Sequence, residues 1–341
     1  MRILVADDDS ISRTLMQRTL QKFGYEVVLA ENGRMAAEIL ARADGPRLAL
    51  VDWMMPELDG PELCREVRSQ HRGSGYVYVV LLTSKQGSED IVAGLDAGAD
   101  DYITKPCHPA ELRARLHTGC RILSLEEELV KARDEMLYKA THDALTGIWN
   151  RASILSQLKG TLERSVRDKS SVSVLLCDVD HFKQVNDNHG HLVGDMVLHE
   201  VAKRLTKAVR SYDAVGRYGG EEFLILLRDC DDSTLKVRSE GVRLAVTAAP
   251  ILAGSEELRI SVSVGAASCR QWELGTPIER ILASADAALY RAKTEGRNRT
   301  GLADEYQDGL NCAGGLWFPP MRPMSPEMPG IEIELNGNDK L

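Results

Sequence analysis

The sequence lacks the cysteine pattern and the long apolar runs that mark secreted and membrane proteins. Its seven cysteines are scattered, with no Cys-x-x-Cys pair and no metal-ligand spacing, which argues against a disulfide framework and predicts reduced thiols. No apolar run approaches the ~20 residues that span a bilayer, and the first residues do not follow the plan of a signal peptide. We therefore expect a cytoplasmic protein without a membrane span.

An excess of positive charge is also missing. The chain has 42 Lys and Arg against 51 Asp and Glu, a formal net charge of −9, which argues against a general DNA or RNA binder. An acidic protein can still bind a nucleotide where its basic groups are local. The 341 residues, of which 43% are hydrophobic, suffice for about two domains with real cores.

The stretch around which the chain is organised is 217–223, Arg-Tyr-Gly-Gly-Glu-Glu-Phe, followed by the apolar run 224–227. Two glycines between strand-like segments predict a tight hairpin turn, because glycine accepts positive φ. Glu221 and Glu222 then stand where the turn enters a strand, and neighbouring strand residues point to opposite faces. One carboxylate can therefore face a metal while the other faces a different group. The alternative is a merely polar hairpin tip.

A second polar cluster follows the buried strand that the sequence predicts over 171–177. This strand ends at Asp178, and Lys183 comes five residues later, a pairing that suits a metal ion and a phosphate. Residues typical of turns follow at 186–191 and 194–195, with side chains that can read the edge of a base.

Residues 1–118 alternate strand and helix patterns. The apolar runs fall at 3–6, 48–51, 77–82 and 102–103. Such alternation predicts a doubly wound parallel sheet, whose ligands bind at the carboxyl ends of the strands. The polar residues of this segment lie at those ends, so we expect them to converge on one rim.

The chemistry of that rim follows from its residue types. Asp7 and Asp8 can hold Mg²⁺ with Asp52 as a third acid, because crowded carboxylates repel each other unless a cation is present. Asp52 is a candidate nucleophile toward phosphorus, since carboxylates form aspartyl phosphates. Thr83 could hydrogen-bond the phosphoryl oxygen, and Lys105 could pair with it. The alternative is a structural acid cluster that caps loops.

The N-terminal segment resembles the receiver domain of two-component response regulators in four sequence motifs, ADDD, VDWMMPELDG, LLTS and YITKP. The resemblance implies a flavodoxin-like fold, a sensor histidine kinase as partner and Asp52 as the phosphoacceptor. It also implies that Met54 gives a backbone carbonyl to the metal. Tyr102 matches the aromatic residue that reorients in this family, although a packed strand aromatic is equally compatible with the sequence.

A helix predicted over 110–117, after Pro109, continues into a linker. Apolar positions recur there at intervals of 3, 4, 3 and 4 residues, at Ile122, Leu125, Leu129, Ala132 and Met136. This spacing is that of a heptad seam, here called the seam. About two heptads are short for a coiled coil, so one amphipathic helix lying on its own domain is the alternative. We favour a dimer stalk.

Three stretches together resemble the GGDEF family of diguanylate cyclases in its GGEEF variant: DALTGIWNR at 143–151, the cluster at 178–195, and 217–223. The surrounding pattern predicts helices at 152–167, 194–209, 233–248 and 277–293, strands at 171–177 and 258–267, and a hairpin at 214–227. These elements predict a mixed, largely antiparallel sheet covered by helices, and the resemblance implies the palm-like α+β fold of nucleotidyl cyclases.

The resemblance implies that two GTP molecules are joined into cyclic di-GMP with loss of two pyrophosphates, in the presence of Mg²⁺ or Mn²⁺. Two metal ions ~3.5–4 Å apart can stabilise the attacking and leaving oxygens. Asp178 and Glu221 are the predicted metal-binding carboxylates, and the family adds the Val179 carbonyl. Glu221 or Glu222 could also deprotonate the attacking hydroxyl, and Lys183 would neutralise developing phosphate charge.

Substrate contacts are implied by the same resemblance. Lys293 and Arg297 match the second phosphate-binding pair of the family, although cations at a helix end are also explained by the helix dipole. Asn186 and Asp195 match the base-reading positions, with His191 nearby. An aspartate at 195 favours GTP for both halves of the product.

An R-x-x-D motif, Arg210 to Asp213, precedes the hairpin at the offset of the family's product-inhibition site. Arginine can bind a phosphate or a guanine edge with two hydrogen bonds, and the aspartate can accept from guanine. Arg243 is a candidate second inhibitory arginine.

The sequence thus predicts a receiver domain at 1–118, a helical linker at 119–140, a cyclase domain at 141–300 and a disordered tail at 301–341 rich in Pro and Gly. We expect a phosphorylation-controlled diguanylate cyclase that acts as a homodimer and binds GTP and cyclic di-GMP but not DNA. The alternative is a catalytically weak response regulator that binds cyclic di-GMP and acts through protein contacts.

Overall fold

The computed structural model describes residues 1–69, 75–84, 87–253, 256–269 and 277–303, with Ser88 and Asp232 described by their backbone alone. The chain divides into two compact units, Met1–Leu155 and Ser156–Leu341. The predicted tail begins too early, because Gly301 and Leu302 lie in a strand, and from residue 304 onward it lies outside the described residues. The six cysteines within these ranges are free thiols, as predicted. No helix in the described ranges is long and apolar enough to cross a membrane.

The first unit contains a five-stranded sheet whose paired strands are all parallel. The strands are β1 (Arg2–Ala6), β2 (Glu26–Ala30), β3 (Leu48–Asp52), β4 (Tyr78–Thr83) and β5 (Asp101–Thr104). Their order is β2-β1-β3-β4-β5. Separate apolar clusters cover its two faces, since Leu4 and Val51 belong to one and Ile3 and Leu50 to the other. The predicted doubly wound sheet is confirmed.

Five helices connect and extend these strands: α1 (Ser10–Lys22), α2 (Gly33–Ala41), α3 (Gly60–Ser69), α4 (Ser88–Asp96) and α5 (Pro109–Thr141). Local hydrogen bonds set where they begin. Asp9 accepts from the backbone N–H groups of Ile11 and Ser12 at the start of α1, and Asn32 accepts from that of Met35 at the start of α2.

Helix α5 runs without a break for 33 residues, so the predicted short helix and its linker are one element. Its first half packs on the sheet through Leu112, Leu116 and Leu123. Arg47, just before β3, then pairs with Glu126 and with Glu127, whose carboxylate lies 2.7 Å away. The seam is exposed, from 39% at Ile122 to 70% at Leu129 and Met136. The seam therefore does not pack on its own unit.

The second unit contains a five-stranded sheet of order β12-β11-β6-β8-β7. Its strands are β6 (Val172–Val179), β7 (Ala214–Arg217), β8 (Glu222–Arg228), β11 (Val262–Cys269) and β12 (Thr300–Leu302), and a separate pair is formed by β9 (Ile251–Ala253) and β10 (Glu256–Leu258). Only the β11–β12 pairing among the described strands of this sheet is parallel. The predicted mixed, largely antiparallel sheet is confirmed.

The remaining helices are α6 (Arg151–Asp168), whose first five residues belong to the first unit, α7 (Phe182–His189), α8 (His191–Ala208), α9 (Asp232–Thr247) and α10 (Glu279–Thr294). Helix α10 packs directly on β11 at Gly265, where an added Cβ would lie 2.1 Å from the carbonyl oxygen of Ala285. No side chain fits between the two backbones at this point. This close approach fixes the height of α10 over the sheet and so the position of Lys293 near its end.

Two predictions for this unit are wrong. Residues 186–189 lie in helix α7 rather than in a turn. Their Asn, Asp and His side chains are poor helix formers, and α7 is held instead by its buried Phe182. The single strand predicted over 258–267 is interrupted, because β10 ends at Leu258 and β11 begins at Val262. Between them the Ser261 carbonyl accepts from the backbone N–H of Asp180.

Candidate functional site

The first candidate site lies at the carboxyl ends of β1 and β3. Carboxylate oxygens of Asp7, Asp8 and Asp52 lie within 4.8 Å of one another. The ammonium of Lys105 lies 3.0 Å from Asp7 Oδ2 and 2.7 Å from Asp52 Oδ1. Asp7 is almost fully buried and also accepts from the Ser12 hydroxyl at 2.7 Å. Three crowded carboxylates around one lysine fit a divalent cation such as Mg²⁺, which prefers oxygen ligands.

The pKa values of Asp52 and Lys105 are both raised at this site, but for different reasons. Burial raises the pKa of the Asp52 carboxyl, and the opposing effect of Lys105 does not cancel it. Burial lowers the pKa of Lys105, but its hydrogen bonds to Asp52 and Asp7 outweigh burial and raise it overall. The Lys105 ammonium is therefore held charged beside a carboxylate that has lost most of its water.

The other positions named from the sequence in this unit are Thr83, Met54 and Tyr102. Asp52 pairs in register with Leu82 of β4, so Thr83, which is 1% exposed, ends the neighbouring strand. Met54, two residues after Asp52, has an exposed side chain. Tyr102 of β5 is half-buried and packs against one of the apolar clusters.

The second candidate site is built around the turn between β7 and β8. The backbone N–H groups of Tyr218 and Gly219 donate to the Glu222 carbonyl at 2.8 and 3.2 Å. Neither Gly219 nor Gly220 has a left-handed φ, so the reason given for these glycines from the sequence is wrong. An added Cβ at Gly219 would lie 2.6 Å from Glu222 Oε2, so the Glu222 carboxylate lies directly beside this glycine. The hairpin itself is confirmed.

The end of β6 is hydrogen-bonded to this turn. The Val179 backbone N–H donates to the Glu221 carbonyl at 3.2 Å. The buried Asp178 carboxylate lies 2.6 Å from the ammonium of Lys293 on α10. Burial and then the nearby charge of Asp178 raise the pKa of Glu221, while Lys293 acts in the opposite direction. Two carboxylates that repel each other beside a cation fit a divalent metal and a phosphate.

The residues expected to read the base lie on α7 and at the start of α8. Asn186 packs against Gly194, where a Cβ would lie 1.9 Å from Asn186 Oδ1. Asp195 follows Gly194 on α8 and is exposed, as are His191 and Lys183. The contact with Gly194 brings the Asn186 amide to the first turn of α8, where Asp195 is the next residue.

The R-x-x-D motif has one exposed member and one buried member. Arg210 is exposed, and its guanidinium donates to the Tyr212 hydroxyl. The Asp213 side chain is 0% exposed and pairs with Arg238. It also accepts from the backbone N–H groups of Arg210, at 2.9 Å, and Arg228, at 3.0 Å. In this structure Asp213 therefore fixes the motif's backbone and does not present an acceptor to a guanine.

The sequence did not identify Arg238, which lies 25 positions after its partner Asp213. Arg243, named from the sequence as a second inhibitory arginine, instead pairs with Glu240 and donates to the Asn298 side chain. An i, i+5 difference between Arg238 and Arg243 places them on different sides of helix α9.

Comparisons with known proteins assign each part of the chain to a family. Residues 3–117 match the response regulator receiver domain, and residues 140–299 match the GGDEF domain of diguanylate cyclases. The response regulator PleD of Caulobacter vibrioides is 33% identical over 301 residues, which are 87% of this chain and 64% of PleD. The diguanylate cyclase DgcP of Pseudomonas aeruginosa is 35% identical over 215 residues, 62% of this chain and 32% of DgcP.

A solved structure is similar to the second half of the chain. It is the coiled coil and GGDEF domain of DgcB from Caulobacter crescentus in complex with c-di-GMP, with a TM-score of 0.50 and 29% identity. The match covers 56% of this chain and 99% of that one. The fold and the family matches identify a response regulator whose output domain is a GGDEF domain. The chain carries a receiver domain, matched over residues 3–117, followed by a GGDEF domain, matched over residues 140–299.

Proposed function

We propose that this chain is a diguanylate cyclase controlled by phosphorylation of its receiver domain, which condenses two GTP into cyclic di-GMP and releases two pyrophosphates. The observation that carries the proposal is the hydrogen bond between Val179 and the Glu221 carbonyl. It joins the end of β6 to the β7–β8 turn and so brings the carboxylates of Asp178 and Glu221 to one point beside Lys293.

In the proposed mechanism, Asp178, Glu221 and the Val179 carbonyl would hold Mg²⁺ or Mn²⁺. Such an ion neutralises charge on the α-phosphate and increases the acidity of the attacking 3′-hydroxyl. Glu222, whose side chain folds over Gly219, is the second candidate for accepting the hydroxyl proton. Either glutamate would act as a general base by taking that proton as the new phosphodiester bond forms.

The basic residues of the site would neutralise the triphosphate, and these are Lys183, Lys293 and Arg297. Arg and Lys bind phosphate oxygens through charge-assisted hydrogen bonds, which are stronger than neutral ones. Asn186 and Asp195 would read guanine, with His191 beside them. A carboxylate at 195 accepts from both the N1–H and the amino group of guanine, and adenine offers no such pair of donors.

The proposal requires two copies of the chain. Each cyclase domain binds one GTP, so a 3′-hydroxyl meets the other α-phosphate only where two domains face each other. The exposed seam of α5 is the proposed dimer contact, because its apolar side chains have no cover within their own unit. We propose domains at 1–118 and 141–300 with 119–140 as stalk, a cytoplasmic location and a sensor histidine kinase as phosphate donor.

The receiver residues take their proposed roles from the rim geometry. Asp7, Asp8, Asp52 and the Met54 carbonyl would hold Mg²⁺, with Asp52 as the phosphoacceptor. Thr83 and Lys105 would bind the phosphoryl oxygens, and Tyr102 would reorient when they do. Lys105 already spans Asp7 and Asp52, so a phosphoryl group on Asp52 competes directly for its ammonium.

The test is turnover by the pure protein. We expect incubation with GTP and Mg²⁺ to yield cyclic di-GMP and two equivalents of pyrophosphate, measured by chromatography and a coupled pyrophosphate assay, and EDTA to stop the reaction. Binding of cyclic di-GMP without any turnover, under conditions where GTP binds, would favour the alternative of a catalytically weak receptor acting through protein contacts.

Arg210→Ala is expected to relieve inhibition by cyclic di-GMP, raising the half-inhibitory concentration by at least about tenfold with an initial rate within twofold of the parent. The reason is that Arg210 is the exposed member of its motif, and a guanidinium contributes up to two charge-assisted hydrogen bonds to a phosphate or base. Initial rates at increasing product concentration measure the effect.

Arg164→Ala, an exposed arginine on α6, is the matched control and should leave the inhibition curve unchanged. Superimposable curves for Arg210→Ala and the parent would refute a product-binding role for this arginine. Asp213→Ala is a poor test, because it would leave the half-buried Arg238 without its carboxylate and is expected to destabilise the fold.

A further inference from the structure

Asp180 is a buried carboxylate to which the proposed mechanism gives no role. It follows β6 by one residue and is 6% exposed. Its Oδ2 accepts from the Ser261 hydroxyl at 2.6 Å and from the Asn298 backbone N–H at 3.1 Å. Its Oδ1 accepts from the Ser263 hydroxyl at 2.6 Å. Burying a carboxylate costs free energy unless it is hydrogen-bonded, and here three neutral donors form hydrogen bonds to its two oxygens.

The most distant of these donors in sequence belongs to an unusual turn. Gly296, Arg297 and Asn298 have φ values of 117°, 62° and 45°, so three successive residues are left-handed. Only glycine adopts this conformation without steric cost, and single non-glycine residues rather than pairs are the rule. Such strain persists where the surrounding structure over-determines it.

Contacts from three directions hold this turn. The Arg297 N–H donates to the Ala292 carbonyl at 3.0 Å, which ties the turn back to α10. The Asn298 N–H donates to Asp180, and the Asn298 side chain accepts from Arg243. The hydrogen bond from Asn298 to Asp180 joins the turn to the end of β6, where Asp178 lies. Ser263, which also holds Asp180, is the register partner of Asp178 on β11.

We propose that Asp180 is a positioning residue that fixes the left-handed turn and thereby aims the Arg297 guanidinium at the triphosphate of GTP. The inference rests on the proposed function in that it takes Arg297 as a phosphate ligand. Asp180 itself does not touch the nucleotide. It acts by holding the backbone on the C-terminal side of Arg297, while Ala292 holds the backbone of Arg297 itself.

The test is a double-mutant cycle with two readouts. Asp180→Asn keeps the size of the side chain but can accept at only one of its two polar atoms. We expect it to raise both KM for GTP and the Kd of a non-hydrolysable GTP analogue with Mg²⁺ by about tenfold, the effect of misplacing one charge-assisted phosphate contact, with kcat within threefold. Arg297→Ala should raise the same two constants at least as much.

The coupling between the two positions decides the proposal. If Asp180 acts through Arg297, adding Asp180→Asn to Arg297→Ala changes KM and Kd little further. Asp286→Asn, an exposed carboxylate on α10, removes the same charge and should change neither constant. Ser261→Ala removes a single hydrogen bond to Asp180 and should give a smaller shift in the same direction, which keeps the test decisive if Asp180→Asn does not fold.

The proposal would be overturned if the fold-changes in KM and Kd caused by Asp180→Asn and by Arg297→Ala multiply in the double variant. It would also be overturned if both Asp180→Asn and Ser261→Ala leave Kd unchanged. A parent protein that binds the analogue but does not turn over GTP would refute the cyclase function instead. In that case the coupling is still decided by the Kd values alone, so the two failures are distinguishable.

Discussion

Asp178→Asn and Glu221→Gln are each expected to lower kcat by about 10²–10³-fold or more, the range seen when one group that stabilises transition-state charge is removed. Both variants remove a negative charge from the proposed metal site at nearly constant volume. Asp178→Asn also leaves the Lys293 ammonium without the carboxylate that lies 2.6 Å from it. Initial rates at saturating GTP, over a range of Mg²⁺ concentrations, measure the loss.

Glu257→Gln is the control for this prediction, since Glu257 is an exposed acid on β10 of the same unit. It should keep the parent rate, and all variants should keep the far-UV circular dichroism of the parent. Comparison with Glu222→Gln separates the two glutamates. The charges of Asp178 and Lys293 act on the Glu221 carboxyl, whereas the Glu222 side chain folds over Gly219. We therefore expect only Glu221→Gln to shift the Mg²⁺ dependence of the rate. Near-parental turnover by Glu221→Gln would show that the metal assignment is wrong.

The parts of the fold that the sequence predicts well are those in which a local pattern of residues marks each strand and its ends. The parallel sheet of the first unit follows from apolar runs that each end in a polar residue. The β7–β8 hairpin follows from a short turn between two apolar strands. In both cases the acid is the terminal residue of a strand, since Asp52 ends β3 and Glu222 begins β8. Its place therefore follows from the bounds of the strand, without knowledge of a long-range contact.

The parts that the sequence does not predict depend on contacts between distant positions. Asp180 and Asn298 are 118 positions apart, and their hydrogen bond is visible only once β6 and the turn after α10 are placed together. Helix α7 is missed because eight residues are too few for a helical period to stand out among polar side chains. Likewise, the position of the Glu222 carboxylate beside Gly219 is seen only in the structure.

The seam offers an intermediate case. Its heptad spacing is readable from the sequence, but the choice between a dimer contact and a helix lying on its own domain is not. The structure narrows this choice, because Arg47 fixes α5 to the sheet as far as Glu127 and the seam is exposed around and beyond that point. A movement at the rim of the first unit can therefore be carried along one continuous helix.

Treatment with beryllofluoride is expected to raise the rate per molecule about tenfold at low protein concentration, and less at high concentration. A tenfold shift in a dimerisation or domain-placement equilibrium needs only ~1.4 kcal/mol. A phosphoryl-like group on Asp52 adds negative charge where Lys105 now bridges Asp52 and Asp7, so Lys105 must re-pair. We expect Thr83, Tyr102 and the attached start of α5 to shift in response.

Two sets of variants test this control. Asp52→Asn should abolish the response to beryllofluoride while keeping a basal rate. Leu125→Ser and Leu129→Ser should weaken both dimerisation, measured by analytical ultracentrifugation, and activity, because they remove exposed apolar surface from the seam. Val237→Ser changes a comparably exposed apolar residue on α9 and should alter neither. An enzyme that ignores beryllofluoride, and whose rate per molecule stays constant on dilution, would contradict control through the stalk, since neither domain placement nor dimer population would then limit catalysis.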